Sequence, residues 1–118
     1  MGARLCLVLG EELLLYSFGR GHPLRSDRIE TFWSMLERSG LMEREGLIVC
    51  KPRMASEEEV LLFHTRHYLE FVKSLSQVGI GYLDYGDTPA FKGVYEASLY
   101  VVGSTLRCLE AVMKGEAD

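Results

Sequence analysis

The 118-residue sequence has few of the residues that mark secreted or membrane-embedded proteins. Its three cysteines, Cys6, Cys50 and Cys108, are an odd number with no C-x-x-C spacing, which predicts reduced, buried thiols rather than a disulfide framework. The apolar stretch near the N-terminus is interrupted by Glu11 and Glu12, which argues against a signal peptide or a membrane span. We therefore expect a cytoplasmic protein that does not enter a membrane.

No strong excess of one charge sign is present. The 13 basic and 17 acidic residues give a formal net charge of −4, and no basic run suggests a nucleic-acid partner. The 47% apolar content is enough for a folded core and argues against disorder. At this length the chain forms one domain at most.

Several catalytic and ligand-binding motifs are also missing. Gly19-x-Gly21 and Gly79-x-Gly81 lack the third glycine of a dinucleotide-binding loop, and no Ser or Cys has a His partner placed by a nucleophile motif. The three imidazoles leave two interpretations open. His64 and His67 could bind zinc together with His22, or His64 could be a buried, hydrogen-bonded residue on an apolar helix face. We favour the second and expect no metal ligand among them.

The apolar runs and turn signals predict about two strands and three helices. Arg4–Leu9 and Gly46–Cys50 are expected to be buried strands, while Glu12–Tyr16 is expected to extend the first strand or form a second short one. The helices are expected from Ser26 or Asp27 to Gly40, from Ser56 to about Ser76, and from about Gly93 to Lys114.

Helix caps and packing faces support these assignments. Asp27 with Glu30, and Ser56 with Glu59, have the spacing of capping boxes. All three helices carry an apolar face, and the last also contains residues small enough for close packing. The faces are Ile29, Phe32, Trp33 and Leu36 in the first helix, Val60, His64, Tyr68, Phe71 and Leu75 in the second, and Tyr95, Leu99, Val102, Leu106, Leu109 and Met113 in the last; the small residues are Ala97, Gly103 and Ser104.

This order of elements predicts an α/β fold. A parallel sheet normally has more than two strands and is covered on both faces. We therefore expect residues 1–118 to be a single partial domain, the opening edge of a larger layered structure.

Three groups of residues carry a family resemblance. The first is Tyr16, Gly21-His22-Pro23 and Arg28; the second is His64 with Tyr68; the third is Asp87, Pro89, Phe91 and Gly93. In this order and spacing they resemble the N-terminal third of the zinc-dependent histone deacetylase family, which includes the acetoin-utilisation proteins.

The resemblance implies a three-layer α/β/α sandwich and zinc-assisted hydrolysis of an acetylated amine. In that family a His-His pair supplies the general base, an Asp-x-His motif and a later Asp bind zinc, and a distal Tyr polarises the carbonyl. The sequence contains neither His-His nor Asp-x-His. We therefore expect no catalytic residue, no metal ligand and no bound cofactor within this chain, and no activity from the chain alone.

The resemblance also assigns roles to four residues. It implies that Asp87 holds the substrate backbone at the mouth of the pocket, and that Arg28 lines an inner cavity behind the metal, shaped also by Tyr16 and His22. Each role has an alternative from the residues alone. Asp87 could cap a turn or the following helix, and Arg28 could be a surface residue, although the first turn of a helix is unfavourable for a cation.

Three hypotheses follow for the chain as a whole. It is the N-terminal segment of a deacetylase-like enzyme, a non-catalytic module that oligomerises or binds a partner, or a relic of a broken gene. Uncovered helix faces and strand edges lead us to expect a homo-oligomer, most simply a dimer, or a complementary C-terminal polypeptide.

Overall fold

A computed structural model describes residues 2–118 and contains two strands and four α-helices. The strands are β1 (Leu5–Val8) and β2 (Leu47–Cys50), and the helices are α1 (Asp27–Ser39), α2 (Glu57–Val60), α3 (Arg66–Val78) and α4 (Val94–Met113). Short 3-10 helices cover Glu11–Leu15 and Leu41–Glu43. The predicted α/β order is confirmed.

The two strands pair in parallel, as predicted. Leu5 lies opposite Leu47, and the ladder is extended by bonds from the Leu5 N–H to the Gly46 carbonyl (2.7 Å) and from the Leu9 N–H to the Cys50 carbonyl (3.1 Å). The expected strand at Glu12–Tyr16 is wrong, because most of this segment turns into a 3-10 helix. An i to i+3 bond from the Leu13 N–H to the Gly10 carbonyl (3.1 Å) begins that turn.

Helix α1 forms where predicted but without the expected capping box. Ser26 occupies the N-cap with no side-chain bond to the backbone, and the Asp27 carboxylate instead pairs with Arg25. Gly40 ends the helix in the left-handed conformation (φ 75°) that glycine adopts most readily. None of the residues of α1 is fully buried, and its apolar stripe is only partly covered: Ile29, Trp33 and Leu36 are half-buried and Phe32 is exposed.

The single helix expected from Ser56 to Ser76 is wrong, because the chain breaks it into α2 and α3. The capping box at the start of α2 is confirmed: the Glu59 N–H donates to the Ser56 hydroxyl (3.1 Å), and the Ser56 N–H donates to the Glu59 carboxylate (2.9 Å). The Thr65 hydroxyl then accepts the Tyr68 N–H (3.2 Å) and starts a new helix. A second N-cap inside the predicted helix is the physical reason for the break.

Helix α4 packs through its small residues together with part of its apolar stripe. Its buried residues include Ala97, Gly103, Ser104 and Ala111, whereas Leu109 and Met113 are mostly exposed. The prediction of close packing at Gly103 and Ser104 is confirmed; the stripe is only partly correct. The Leu99 side chain is buried, and its carbonyl accepts the Ala55 N–H (2.9 Å), which joins α4 to the segment after β2.

The three cysteines are half-buried free thiols. The sulfurs of Cys6 and Cys50 lie 3.7 Å apart on the two strands, and burial raises the pKa of the Cys50 thiol. Within residues 2–118, no helix is both long enough and apolar enough to cross a membrane.

Candidate functional site

The loop between α3 and α4 is a narrow, internally bonded projection. The Leu83 N–H donates to the Thr88 carbonyl (2.8 Å) and the Ala90 N–H donates to the Gly81 carbonyl (2.8 Å), while Tyr82 and Pro89 form an isolated antiparallel bridge. At its base, the Tyr68 hydroxyl on α3 donates to the Leu83 carbonyl (3.0 Å). We call residues 81–90 the rim loop.

Asp84 organises the tip of the rim loop. Its Oδ1 accepts the backbone N–H groups of Gly86 (3.1 Å), Asp87 (3.0 Å) and Thr88 (2.9 Å). These bonds, chiefly those from Thr88 and Gly86, lower the pKa of the Asp84 carboxyl to about 2. Sequence reasoning missed this residue, although an Asp followed two residues later by a Gly is typical of an Asx turn.

Asp87 sits at the exposed tip with its backbone held and its side chain unengaged. Its N–H is bonded to Asp84, and its carbonyl accepts a bond from His22 Nε2 (2.7 Å). Among residues 2–118 its carboxylate has no hydrogen-bond or ion-pair partner. The turn-capping role that was the alternative for Asp87 therefore belongs to Asp84, while Asp87 presents a free acceptor to solvent.

An aromatic cluster supports the rim loop from below. The Phe18 ring lies 5.2 Å from Tyr16, 6.0 Å from Phe91 and 4.6 Å from the imidazole of His22, measured between ring centroids. Tyr16 also meets Phe91 edge to face at 6.1 Å. Rings from the segment before α1 and from Phe91, directly after the rim loop, therefore pack as one unit.

A cavity of about 540 Å³ lies between β1, α1 and α4. Tyr16 and Arg28 both line it, but Arg28 is also exposed to solvent, as the surface alternative for it predicts. His22 is not part of its lining and lies with the rim loop instead. Burial of the Tyr16 ring raises the pKa of its hydroxyl.

The same cavity contains a buried polar atom without a partner. Ser104, on α4, is 6% exposed, and its hydroxyl makes no hydrogen bond within the described residues. An unpaired buried hydroxyl costs free energy, so such groups usually meet a ligand or water. Ser104 was predicted only as a small packing residue, and nothing in the sequence distinguishes these two uses.

The histidines do not converge. His64 is exposed in the turn between α2 and α3, with its ring between Phe63 (4.9 Å) and Tyr68 (5.5 Å), so the expectation of a buried, hydrogen-bonded His64 is wrong. His67 is exposed at the start of α3. No three His, Cys, Asp or Glu side chains within residues 2–118 lie close enough to hold a metal ion.

Comparison with known proteins gives consistent matches. The histone deacetylase domain family matches residues 22–118. A probable deacetylase of Archaeoglobus fulgidus is 32% identical over 112 residues, covering 95% of this chain and 31% of that protein. The acetoin utilization protein AcuC of Bacillus subtilis is 38% identical over 112 residues, covering 86% of this chain and 28% of that protein.

A third relative and a solved structure agree with these. A histone deacetylase-like amidohydrolase of Pseudomonas aeruginosa is 39% identical over 98 residues, covering 83% of this chain and 25% of that protein. The crystal structure of the HDA15 HD domain superposes with a TM-score of 0.81 at 22% identity, covering 96% of this chain and 33% of that one. That likeness establishes the shared fold.

The chain thus spans less than a third of the length of the curated relatives described above. The family match over residues 22–118 shows that the chain belongs to the histone deacetylase family, and the shared fold agrees with this.

Proposed function

We propose that this chain supplies the substrate rim and the inner cavity of a histone deacetylase-like amidohydrolase that releases acetate from acetylated amines. The observation that carries the proposal is the state of Asp87. Its backbone is held on both sides, at 3.0 Å by Asp84 and at 2.7 Å by His22, and its carboxylate is exposed and unpaired among residues 2–118. A fixed, free acceptor at a loop tip suits the recognition of a ligand more than the stability of the loop.

The chemistry of Asp87 suits an extended acetylated peptide. A carboxylate accepts two hydrogen bonds at once, and two successive backbone N–H groups of an extended chain can supply them. Hydrogen bonds to a charged group contribute about 1.5–3 kcal/mol each. The exposed rings of Tyr82 and Tyr85 flank the same tip and offer apolar surface to a bound chain.

The inner cavity suits a small carboxylate product. Arg28 offers a guanidinium, whose fork of donors matches a carboxylate, and Ser104 offers a hydroxyl that is otherwise unpaired. Both line a space of about 540 Å³, which exceeds what acetate requires. We propose that acetate formed at a neighbouring reactive centre passes into this cavity.

The family is zinc-dependent, but the residues described here do not fit a zinc site, because no three suitable side chains within residues 2–118 converge. We therefore derive no catalytic step through zinc from this chain. Our proposal places the metal ligands and the general base in a further part of a larger domain, and we expect no hydrolysis by the chain alone.

A second candidate function is a non-catalytic module that associates with itself or with a partner. The observation in its favour is the uncovered apolar surface of α1, where Phe32 is 49% and Met35 58% exposed. The two candidates differ in whether the rim loop and cavity support turnover in a complete domain.

A hybrid enzyme tests the proposed function. In it, residues 1–118 replace the matching segment of the Pseudomonas aeruginosa amidohydrolase, and hydrolysis of an acetyl-lysine peptide is measured beside the parent enzyme. We expect a folded hybrid with turnover within about tenfold of the parent, since the inserted residues 1–118 carry the proposed rim and cavity residues. A hybrid that unfolds as cooperatively as the parent but does not hydrolyse the peptide would reject the proposal.

A further inference from the structure

The imidazole of His22 joins two loops that are far apart in the sequence. Its Nε2 lies 2.7 Å from the Asp87 carbonyl oxygen, and its Nδ1 lies 3.0 Å from the backbone nitrogen of Leu24. The first contact reaches across 65 residues to the tip of the rim loop, and the second stays within the segment before α1. The ring is therefore fixed at both nitrogens.

These two contacts determine the tautomer of the imidazole. The Leu24 N–H is a donor, so Nδ1 must accept and carries no proton. The Asp87 carbonyl is an acceptor, so Nε2 must donate its N–H. Only the neutral ring with the proton on Nε2 satisfies both bonds, because the cation would carry a second N–H directed at the Leu24 N–H.

The rest of the rim loop is anchored at other points. Tyr68 holds its base through the Leu83 carbonyl, and Asp84 holds its tip from within the loop. His22 is the side chain from outside the loop that bonds to the peptide group of Asp87 itself. The His22 ring packs against Phe18, so its bond to the Asp87 carbonyl connects the tip of the rim loop to the aromatic cluster.

We propose that His22 is a positioning residue for Asp87, which fixes the backbone from which the Asp87 carboxylate projects and thereby selects peptide-like substrates over small acetylated amines. The proposal rests on the proposed function of the rim loop. It requires no contact between His22 and the substrate. Without the bond from Nε2, the tip keeps its internal bonds to Asp84. The Asp87 backbone, however, loses its direct hydrogen bond to a side chain outside the rim loop.

The test uses the hybrid enzyme and three variants. His22→Phe keeps a ring against Phe18 but removes both polar nitrogens, and His22→Gln supplies an N–H donor of similar reach. His67→Ala is the matched control, since His67 is an exposed histidine with no side-chain hydrogen bond within residues 2–118. Each is assayed on an acetyl-lysine peptide and on a small acetylated amine that has no peptide backbone.

We expect His22→Phe to raise KM for the peptide about tenfold with little change in kcat, because one oriented hydrogen-bonding group is lost. We expect His22→Gln to recover most of that loss. Hydrolysis of the small amine should be unchanged in both, since it offers no backbone N–H to Asp87. The His67→Ala control should match the unsubstituted hybrid on both substrates.

The outcomes separate this inference from the proposed function. Equal losses on the peptide and the small amine would show a merely structural role and overturn the inference. So would an unchanged peptide KM in His22→Phe, provided that Asp87→Ala still impairs the hybrid. An inactive, folded hybrid would instead reject the proposed function.

A measurement without turnover tests the geometry directly. Nitrogen-15 spectra of the 118-residue chain should show the Nε2-protonated tautomer of the His22 imidazole. In His22→Gln and His22→Phe, the amide signals of Asp87 and Thr88 should move more than those of Leu83, because the anchor at the tip is changed and the Tyr68 anchor is not. A proton on Nδ1 in the unsubstituted chain would contradict the inference.

Discussion

Gly103 on α4 lies against the backbone of Arg53, so closely that a β-carbon added to Gly103 would stand 2.0 Å from the Arg53 carbonyl oxygen. The Ala55 backbone nitrogen would be 2.5 Å from the same atom. Real β-carbons do not approach backbone this closely, so the absence of a side chain at Gly103 sets how near α4 lies to the segment after β2. The adjacent Ser104 is thereby placed facing the inner cavity.

Gly103→Ala should therefore destabilise the fold. Alanine is better by about 1 kcal/mol in a helix interior, but the displacement of rigid backbone should exceed that gain and give a net loss of about 1–3 kcal/mol. Urea denaturation measures the difference. Gly21→Ala is the matched control, because nothing lies within 4 Å of a β-carbon at Gly21. An unchanged midpoint in Gly103→Ala would show that α4 is not held at this distance.

The rim loop should lose its internal order in acid. The Asp84 carboxyl has a pKa of about 2, below its ordinary value of 3.8, because it accepts three backbone N–H groups in the folded loop. A lowered folded pKa means that the stabilisation is fully present above about pH 4 and disappears as the pH falls towards 2.

Carbon-13 titration of the Asp84 carboxyl should therefore show a midpoint well below that of an unstructured aspartate. The Gly86 and Thr88 amide signals should change over the same pH range. In Asp84→Asn these amides should lose that acid transition. A midpoint near 4 for Asp84 in the unsubstituted chain would contradict the bonding described here.

The sequence predicted the elements with strong local signals and failed where a competing signal was close by. The Ser56 capping box and the Gly40 stop formed as predicted because each depends on a few adjacent residues. The apolar spacing across 57–76 fits one helix, but Thr65 caps a second helix within it. The apolar periodicity alone does not distinguish one continuous helix from two helices separated at Thr65.

The candidate site was only partly accessible from sequence. Asp87, Arg28 and Tyr16 were identified through the resemblance, and the latter two do share a cavity. The bond from His22 to the Asp87 carbonyl was not predicted, since it joins residues 65 positions apart and depends on how the two loops pack. The substrate-binding and cavity roles remain predictions.

We also predict that the chain self-associates through the groove between β1 and α1. Leu5 is 60% and Phe32 49% exposed there, and each square ångström of apolar surface removed from water contributes about 25 cal/mol. Light scattering across a dilution series should report a dimer that weakens on dilution. Phe32→Glu should favour the monomer, whereas Phe63→Glu, at a side chain 88% exposed in the α2–α3 turn, should not. A monomer at every concentration would contradict this prediction.

The most direct test of the central claim is the effect of Asp87→Ala on peptide hydrolysis by the hybrid enzyme. Loss of both substrate hydrogen bonds should cost about 2–4 kcal/mol, less than the sum of two isolated charge-assisted bonds because water competes for an exposed carboxylate, which predicts a fall in kcat/KM of about 30- to 1,000-fold. Tyr82→Phe, within the rim loop, and Lys92→Ala, just after it, should change kcat/KM far less. If Asp87→Ala retains kcat/KM within about twofold of the unsubstituted hybrid, the rim loop does not hold the substrate and the account is wrong.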